Sequence, residues 1–163
     1  MKIVCNASPL ILLAQTEHLS LLNQLFDSVI VPEAVWDEVV LHGSDSPVTV
    51  ALTQARDKGM FEIFHVENRL AVNAMLGRLH LGEIETIIGS CETDANGVIL
   101  DDLFARKKAK KMGLHVIGTI GIFIMAHNRG LLPDLKIVCA SLQASGFRIS
   151  NDLLNEILKA AEN

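Results

Sequence analysis

The sequence predicts an α/β fold, with helices packed around a mainly parallel sheet. Three observations predict it. Short apolar runs alternate along the chain with helical patterns, which is the order of βαβ units. Those runs are continuous rather than alternating, as strands covered on both faces are. Half of the 163 residues are hydrophobic, enough to bury a proper core and too many for disorder.

The elements follow in order. Lys2 to Cys5 is a short strand. Ser8 then Pro9 predicts a helix start through Leu13, since Ser caps free N–H groups and Pro suits a first turn. A second helix is expected from His18 to about Phe26, and Val29, Ile30 and Val31 form the next strand. Pro32 is expected to open a helix through Val40, and Gly43 to Pro47 to be a loop. Residues 48–58 read as helix ending at Gly59, and Phe61 to Val66 as strand. Helical patterns return at 67–76 and 82–91. Val98, Ile99 and Leu100 make a strand that ends in Asp101 and Asp102. A helix over 103–112 stops at Gly113, and Leu114 to Ile117 is the last strand. Thr119 is expected to cap a helix to Asn128. The final helices cover about 134–144 and 151–161. In the second of these, Leu153, Leu154, Ile157, Leu158 and Ala161 share one face. No linker, repeat or low-complexity segment interrupts the chain. Residues 1–163 are therefore expected to be one domain, with the helices of about 134–161 packed on it.

Composition removes several function classes. A formal charge of −5 argues against indiscriminate nucleic-acid binding over the whole surface. The apolar stretch Pro9 to Ala14 is too short to span a bilayer. Asn6, Ser8 and Pro9 also spoil it as a secretory signal. Cys5, Cys91 and Cys139 are odd in number and far apart, which suits buried thiols in a reducing compartment. The six histidines are scattered, with none at zinc-pair spacing. The expectation is a cytoplasmic chain with no membrane attachment. There is no P-loop, no G-x-G-x-x-G after a strand and no G-x-S-x-G elbow.

Acidic and amide side chains fall where parallel sheets bind ligands, beyond the carboxyl ends of strands. Asn6 follows the first strand, and Asp101 and Asp102 follow the Val98–Leu100 strand. Glu38 lies in the helix after the second strand. Glu83 and Glu85 open the helix that leads back to Asp101. Converging carboxylates repel one another unless a cation or raised pKa values relieve them. Mg²⁺ or Mn²⁺ would do so through oxygen ligands and retained waters. Each acid also has a plainer reading as a turn residue, a helix cap or a favourable charge in a first helical turn.

Asn6-Ala7-Ser8-Pro9-Leu10-Ile11, Pro32 to Glu38, Gly82-Glu83-Ile84-Glu85, Asp101-Asp102 with Ala105-Arg106, and Gly118-Thr119-Ile120-Gly121 together resemble the PIN domain. The tail Gly146-Phe147-Arg148-Ile149-Ser150 resembles its small prokaryotic nucleic-acid-binding branch. The resemblance implies a three-layer α/β/α sandwich and Mg²⁺- or Mn²⁺-dependent ribonuclease chemistry. It also implies homodimers and, often, the toxin role opposite an antitoxin protein. The family's first acid falls on Asn6, which can ligate through its carbonyl oxygen but brings no charge. The second falls on Glu38, the third on Glu83 or Glu85, and the fourth on Asp101 or Asp102. On a helical wheel Glu83 and Glu85 flank opposite sides of the Ile84, Ile87, Ile88, Cys91 stripe, so both cannot face one metal equally. The distance from Glu83 to Asp101 resembles the family spacing better. Glu38, Glu83 and Asp101 are thus the expected catalytic acids. Ser8 or Thr119 can add a hydroxyl beside them.

Arg106, Lys107, Lys108, Lys110 and Lys111 put five of the 14 basic residues in one helix. Ala105, Ala109 and Met112 form its packing face. The run is either a solvated helix face or an edge that grips the backbone of single-stranded RNA. Six Phe, one Trp and no Tyr leave little for sequence-specific stacking. Besides a ribonuclease, the same residues suit a PIN-like module that binds RNA or a partner without cutting, or a small-molecule phosphate binder.

Overall fold

The computed structural model describes residues 1–41 and 45–161. Five strands form one sheet: β1 (Lys2–Cys5), β2 (Ser28–Pro32), β3 (Glu62–Phe64), β4 (Gly97–Ile99) and β5 (His115–Ile117). Their order across the sheet is β3-β2-β1-β4-β5, and every neighbouring pair is parallel. Among the described residues the helices are α1 (Ala7–Gln15), α2 (Leu21–Leu25), α3 (Glu33–Leu41), α4 (Pro47–Asp57), α5 (Arg69–Met75), α6 (Leu81–Glu92), α7 (Leu103–Lys111), α8 (Thr119–Asn128), α9 (Leu135–Ala144) and α10 (Asn151–Ala161). None is long and apolar enough to cross a membrane.

The two-residue period of a strand sorts side chains into two cores. Ile3 and Cys5 of β1, Val29 and Val31 of β2 and Ile99 of β4 face one side, where α1, α2, α3, α8 and α9 add Leu10, Leu22, Val35, Phe123 and Leu142. Val4, Ile30 and Val98 face the other side, covered by Val72 of α5, Ile84 and Ile87 of α6, and Ala105 and Ala109 of α7. Fully burying each such aliphatic side chain is worth about 1.5–3 kcal/mol. The result is a three-layer α/β/α sandwich. The C-terminal α10 packs on α8 and α9.

Sheet order places the crevice. The chain lays β2 and β3 outward on one edge of β1, then returns through α5 and α6 to add β4 on the other edge. Connections therefore diverge between β1 and β4, and a gap opens beyond their carboxyl ends.

Several local expectations are corrected by tertiary contacts. Helix α1 starts at Ala7 with Asn6 as its N-cap, so Ser8 is an exposed first-turn residue rather than the cap. Glu17 takes φ 60° and turns the chain after α1, and helix α2, expected from His18 to about Phe26, covers only Leu21–Leu25. Pro32 closes β2, paired with Phe64, instead of opening α3. Part of the loop expected at Gly43 to Pro47 lies outside the described residues. Pro47 begins α4, where Ser46 Oγ accepts from the Thr49 N–H at 3.1 Å. Leu100 falls just past β4, and Gly118, not Thr119, caps α8. Met112 ends α7 and is exposed, as is Cys91 at the end of α6, where burial stops at Ser90. On α10 Ile157 is buried, while the side chains of Leu158 and Ala161 lie outside those described.

Candidate active site

The carboxyl ends of the central strands bring Asn6 and Asp101 side by side. Cys5 pairs with Ile99, and the Asn6 N–H donates to the Ile99 carbonyl at 3.1 Å. Asn6 is only 5 % exposed, and its Oδ1 is buried without a hydrogen-bond partner. Leaving such an oxygen unsatisfied costs about 1–3 kcal/mol. It faces the start of α6. A Cβ on Gly82 would lie 3.4 Å from Asn6 Oδ1 and 3.1 Å from Oε2 of Glu38, the latter presented by α3. Glycine at 82 therefore keeps open a small gap with two oxygens on its rim. Glu38 itself is exposed.

Asp101 is held from the β5–α8 junction. The Thr119 N–H donates to Oδ1 at 2.8 Å and the Thr119 hydroxyl to Oδ2 at 2.6 Å. The Arg106 guanidinium lies beside it and donates to the Leu100 carbonyl at 2.9 Å. A Cβ on Gly118 would come within 2.5 Å of Arg106 Nη1 and 3.2 Å of Asp101 Oδ1. Only glycine allows that cation so close to the backbone. Burial raises the Asp101 pKa above its ordinary value, and the Thr119 bonds and Arg106 only partly offset this. Burial also pushes the Cys5 thiol well up, with the Asp101 charge adding to it. Asp101, Glu38 and Ser8 line one cavity of about 320 Å³, closed on one side by Phe147.

The two glutamates of α6 are both buried, since the helix is enclosed on nearly every side. They have different partners. Glu83 Oε2 accepts from the His80 N–H at 2.9 Å, bracing the first turn. Burial raises the Glu83 pKa, the His80 bond lowers it, and the Asp102 and Glu38 charges raise it again. Glu83 thus sits in the field of the other acids. Glu85 has both oxygens engaged elsewhere: Oε1 accepts from Arg69 at 2.6 Å and Oε2 from the Ala34 N–H at 3.2 Å. Asp102 caps α7, its Oδ1 accepting from the Ala105 N–H at 2.8 Å.

Among the described residues no three His, Cys, Asp or Glu side chains lie close enough to hold a metal ion directly. The donors present are an unpartnered amide oxygen, Glu38 across the Gly82 gap and Asp101 in the adjoining cavity. These oxygens are the donor type that a hard cation such as Mg²⁺ or Mn²⁺ takes; Glu38 and Asp101 line a cavity, and Asn6 Oδ1 is closed to solvent behind them. The basic run splits: Lys107, Lys108, Lys110 and Lys111 are exposed, whereas Arg106 turns inward to Leu100.

Reading the sequence did not single out Gly82 or Phe147 as parts of the site. The only signals were the Gly82-Glu83 pair and the Gly146–Ser150 tail. A family model described as a PIN domain matches residues 2–163. No curated protein matches the chain.

Proposed function

Because the chain belongs to the PIN-domain family, we propose that it is a Mg²⁺- or Mn²⁺-dependent endoribonuclease acting on single-stranded RNA. The observation that carries this reading is the buried, unpartnered Asn6 Oδ1 facing Glu38 Oε2 across the Gly82 gap. Asn6, Glu38 and Asp101 would hold the ion, with Glu83 adding negative charge behind them. A divalent ion bound there supplies Lewis acidity at the phosphodiester and lowers the pKa of an attacking water. Thr119 fixes the Asp101 carboxylate in one orientation. Glu38, exposed at the mouth, can accept the proton from that water. The exposed lysines of α7 hold the RNA backbone by charge. Glu85 takes a structural role in this reading, because it lies away from the cavity of Glu38 and Asp101 and its oxygens serve Arg69 and Ala34; Asp102 caps α7 through Oδ1 and adds its charge to the field at Glu83. The motif resemblance extends the proposal to a homodimeric toxin countered by an antitoxin protein.

A second reading, an RNA-binding module without turnover, is favoured by the neutral Asn6 in place of a charged ligand. Cleavage of a labelled single-stranded RNA panel in Mn²⁺, against an EDTA control, separates the two. Cleavage that disappears in both Glu38→Gln and Asp101→Asn supports the nuclease. Binding without cleavage selects the second reading, and neither binding nor cleavage defeats both.

A further inference from the structure

The geometry points to a mononucleotide subsite beside Asp101, built by Phe147, Arg148 and Arg106; its ligand class rests on reading Asp101 as part of an RNA-cleaving centre. A second cavity of about 780 Å³ meets the smaller one, and Asp101 and Phe147 line both. Its size lies within the roughly 300–1,000 Å³ of small-molecule pockets.

The Gly146–Ser150 tail explains how it is built. Helix α9 ends in a left-handed glycine, Gly146 at φ 86°. The Gly146 N–H donates to the Gln143 carbonyl at 3.0 Å, and the Phe147 N–H to the Leu142 carbonyl at 3.0 Å. This pair of bonds is a Schellman cap, and it fixes the direction of the next residues. Phe147 packs on the main core yet stays part-exposed, so its ring is anchored while remaining open to the cavity. Ile120 and Ile124 give an apolar floor, and Arg106 and Arg148 line the same space together with the carboxylates of Asp101 and Asp152. Among the described residues Arg148 has no ion-pair partner. Arg106 spends one N–H on Leu100, which leaves others of its five.

Each component selects part of one ligand. Guanidinium groups take a phosphate, and a fixed aromatic ring over an apolar floor takes a base. A bare phosphate would not use the ring, and an apolar ligand would leave the arginines unsatisfied. One nucleotide of the RNA strand satisfies both, placing its neighbouring phosphodiester at Asp101.

The test is an NMR titration of the full chain in EDTA with two probes, AMP and ribose 5-phosphate. AMP should bind about tenfold or more tightly than ribose 5-phosphate, as one stacked base is worth. Phe147→Leu, which keeps apolar bulk, should remove that preference and leave ribose 5-phosphate affinity unchanged. Arg148→Gln should weaken both probes. Phe147→Trp should retain the preference and show fluorescence quenching by AMP, which covers the case of a poorly folded leucine variant. Equal affinity for the two probes, or an AMP preference that survives in Phe147→Leu, overturns the subsite. That includes the case of a cavity occupied by a partner's peptide. No metal or turnover enters the titration, so a chain that fails to cleave RNA but discriminates the probes refutes the nuclease and keeps the subsite.

Discussion

Replacing Asn6 by Asp puts a charge where the structure leaves a buried, unpartnered oxygen. The new carboxylate would face Glu38 Oε2 across the Gly82 gap. At the widest spacing the two Gly82 Cβ distances allow, about 6.5 Å, the repulsion is about 2.5 kcal/mol for an effective dielectric of 20 and about 0.6 kcal/mol in water. Glu38 is exposed, so screening favours the lower part of that range. Burial at a position only 5 % exposed adds to the penalty. The total has a ceiling: protonating a carboxyl of ordinary pKa at neutral pH costs about 4 kcal/mol, and the group will take up a proton before exceeding that. The substitution should therefore cost about 1–4 kcal/mol without metal, lowering Tm by about 3–15 °C. As pH falls into the carboxylate range the new group protonates, and the deficit should shrink. Saturating Mn²⁺ should recover it, since a ligand at a hundredfold its Kd contributes about 2.7 kcal/mol. Cleavage should rise in parallel. Differential scanning fluorimetry at pH 5 and pH 7, with EDTA or Mn²⁺, reads every term. An unchanged Tm in EDTA at neutral pH, together with no larger Mn²⁺ shift than the parent shows, would refute the placement of Asn6 at a cation site.

Four further outcomes are expected. Gly82→Ala should fill the gap and abolish the Mn²⁺-dependent Tm shift, with the helix-propensity gain of about 1 kcal/mol set against the tight contact of the new Cβ with buried Val35, 3.3 Å away; a retained shift would show that the cation binds elsewhere. Burial raises Asp101 and Glu83 above their ordinary pKa values, so their contribution is full below the unfolded pKa and is lost as pH rises through the folded one. Metal-free Tm should thus fall over that window, and Asp101→Asn should flatten the fall; an identical pH profile for the variant would contradict this. Glu85→Gln should cost about 1 kcal/mol, since one amide oxygen cannot accept from both Arg69 and the Ala34 N–H while half-exposed Arg69 turns to solvent, with the Mn²⁺ shift intact in calorimetry; loss of that shift would return Glu85 to the metal. Replacing Lys107, Lys108 and Lys111 by Ala should weaken RNA binding and reduce the slope of log affinity against log salt by about 2. Unchanged filter-binding titrations would make the run a solvated face.

β1, β2 and β4 were legible because each centres on an apolar run, whereas β3 keeps only Glu62–Phe64 of the expected Phe61 to Val66; the sheet order brought Asn6 and Asp101 together as the alternation implies. Element ends were less legible, since distant partners decide them. Thr119 reads as a helix cap, but its hydroxyl is taken by Asp101, 18 residues earlier. Pro32 reads as a helix opener until β3 supplies Phe64 beside it. The choice between Glu83 and Glu85 was beyond a helical wheel, because α6 buries both flanks of its apolar stripe and their separate partners, His80 for Glu83 and Arg69 with Ala34 for Glu85, arise only in the fold. Gly82 and Phe147 matter through the space they leave or line, which no periodicity records.

The central position of β1 has a consequence for the order of assembly. Its register partners are Ser28 to Ile30 on one edge and Gly97 to Ile99 on the other. A chain emerging from the ribosome at about 5–20 residues per second can pair β2 with β1 and with β3 once Phe64 is out. The opposite edge of β1 then waits for α6 and β4. Until they arrive, Asn6 and Glu38 have no Gly82 gap between them and no Asp101 beside them. Contacts of such long sequence separation form late because loop closure must be paid before they reward it. The acidic centre is thus a product of the completed sheet, and a nascent chain stopped before β4 would carry its parts without the machine.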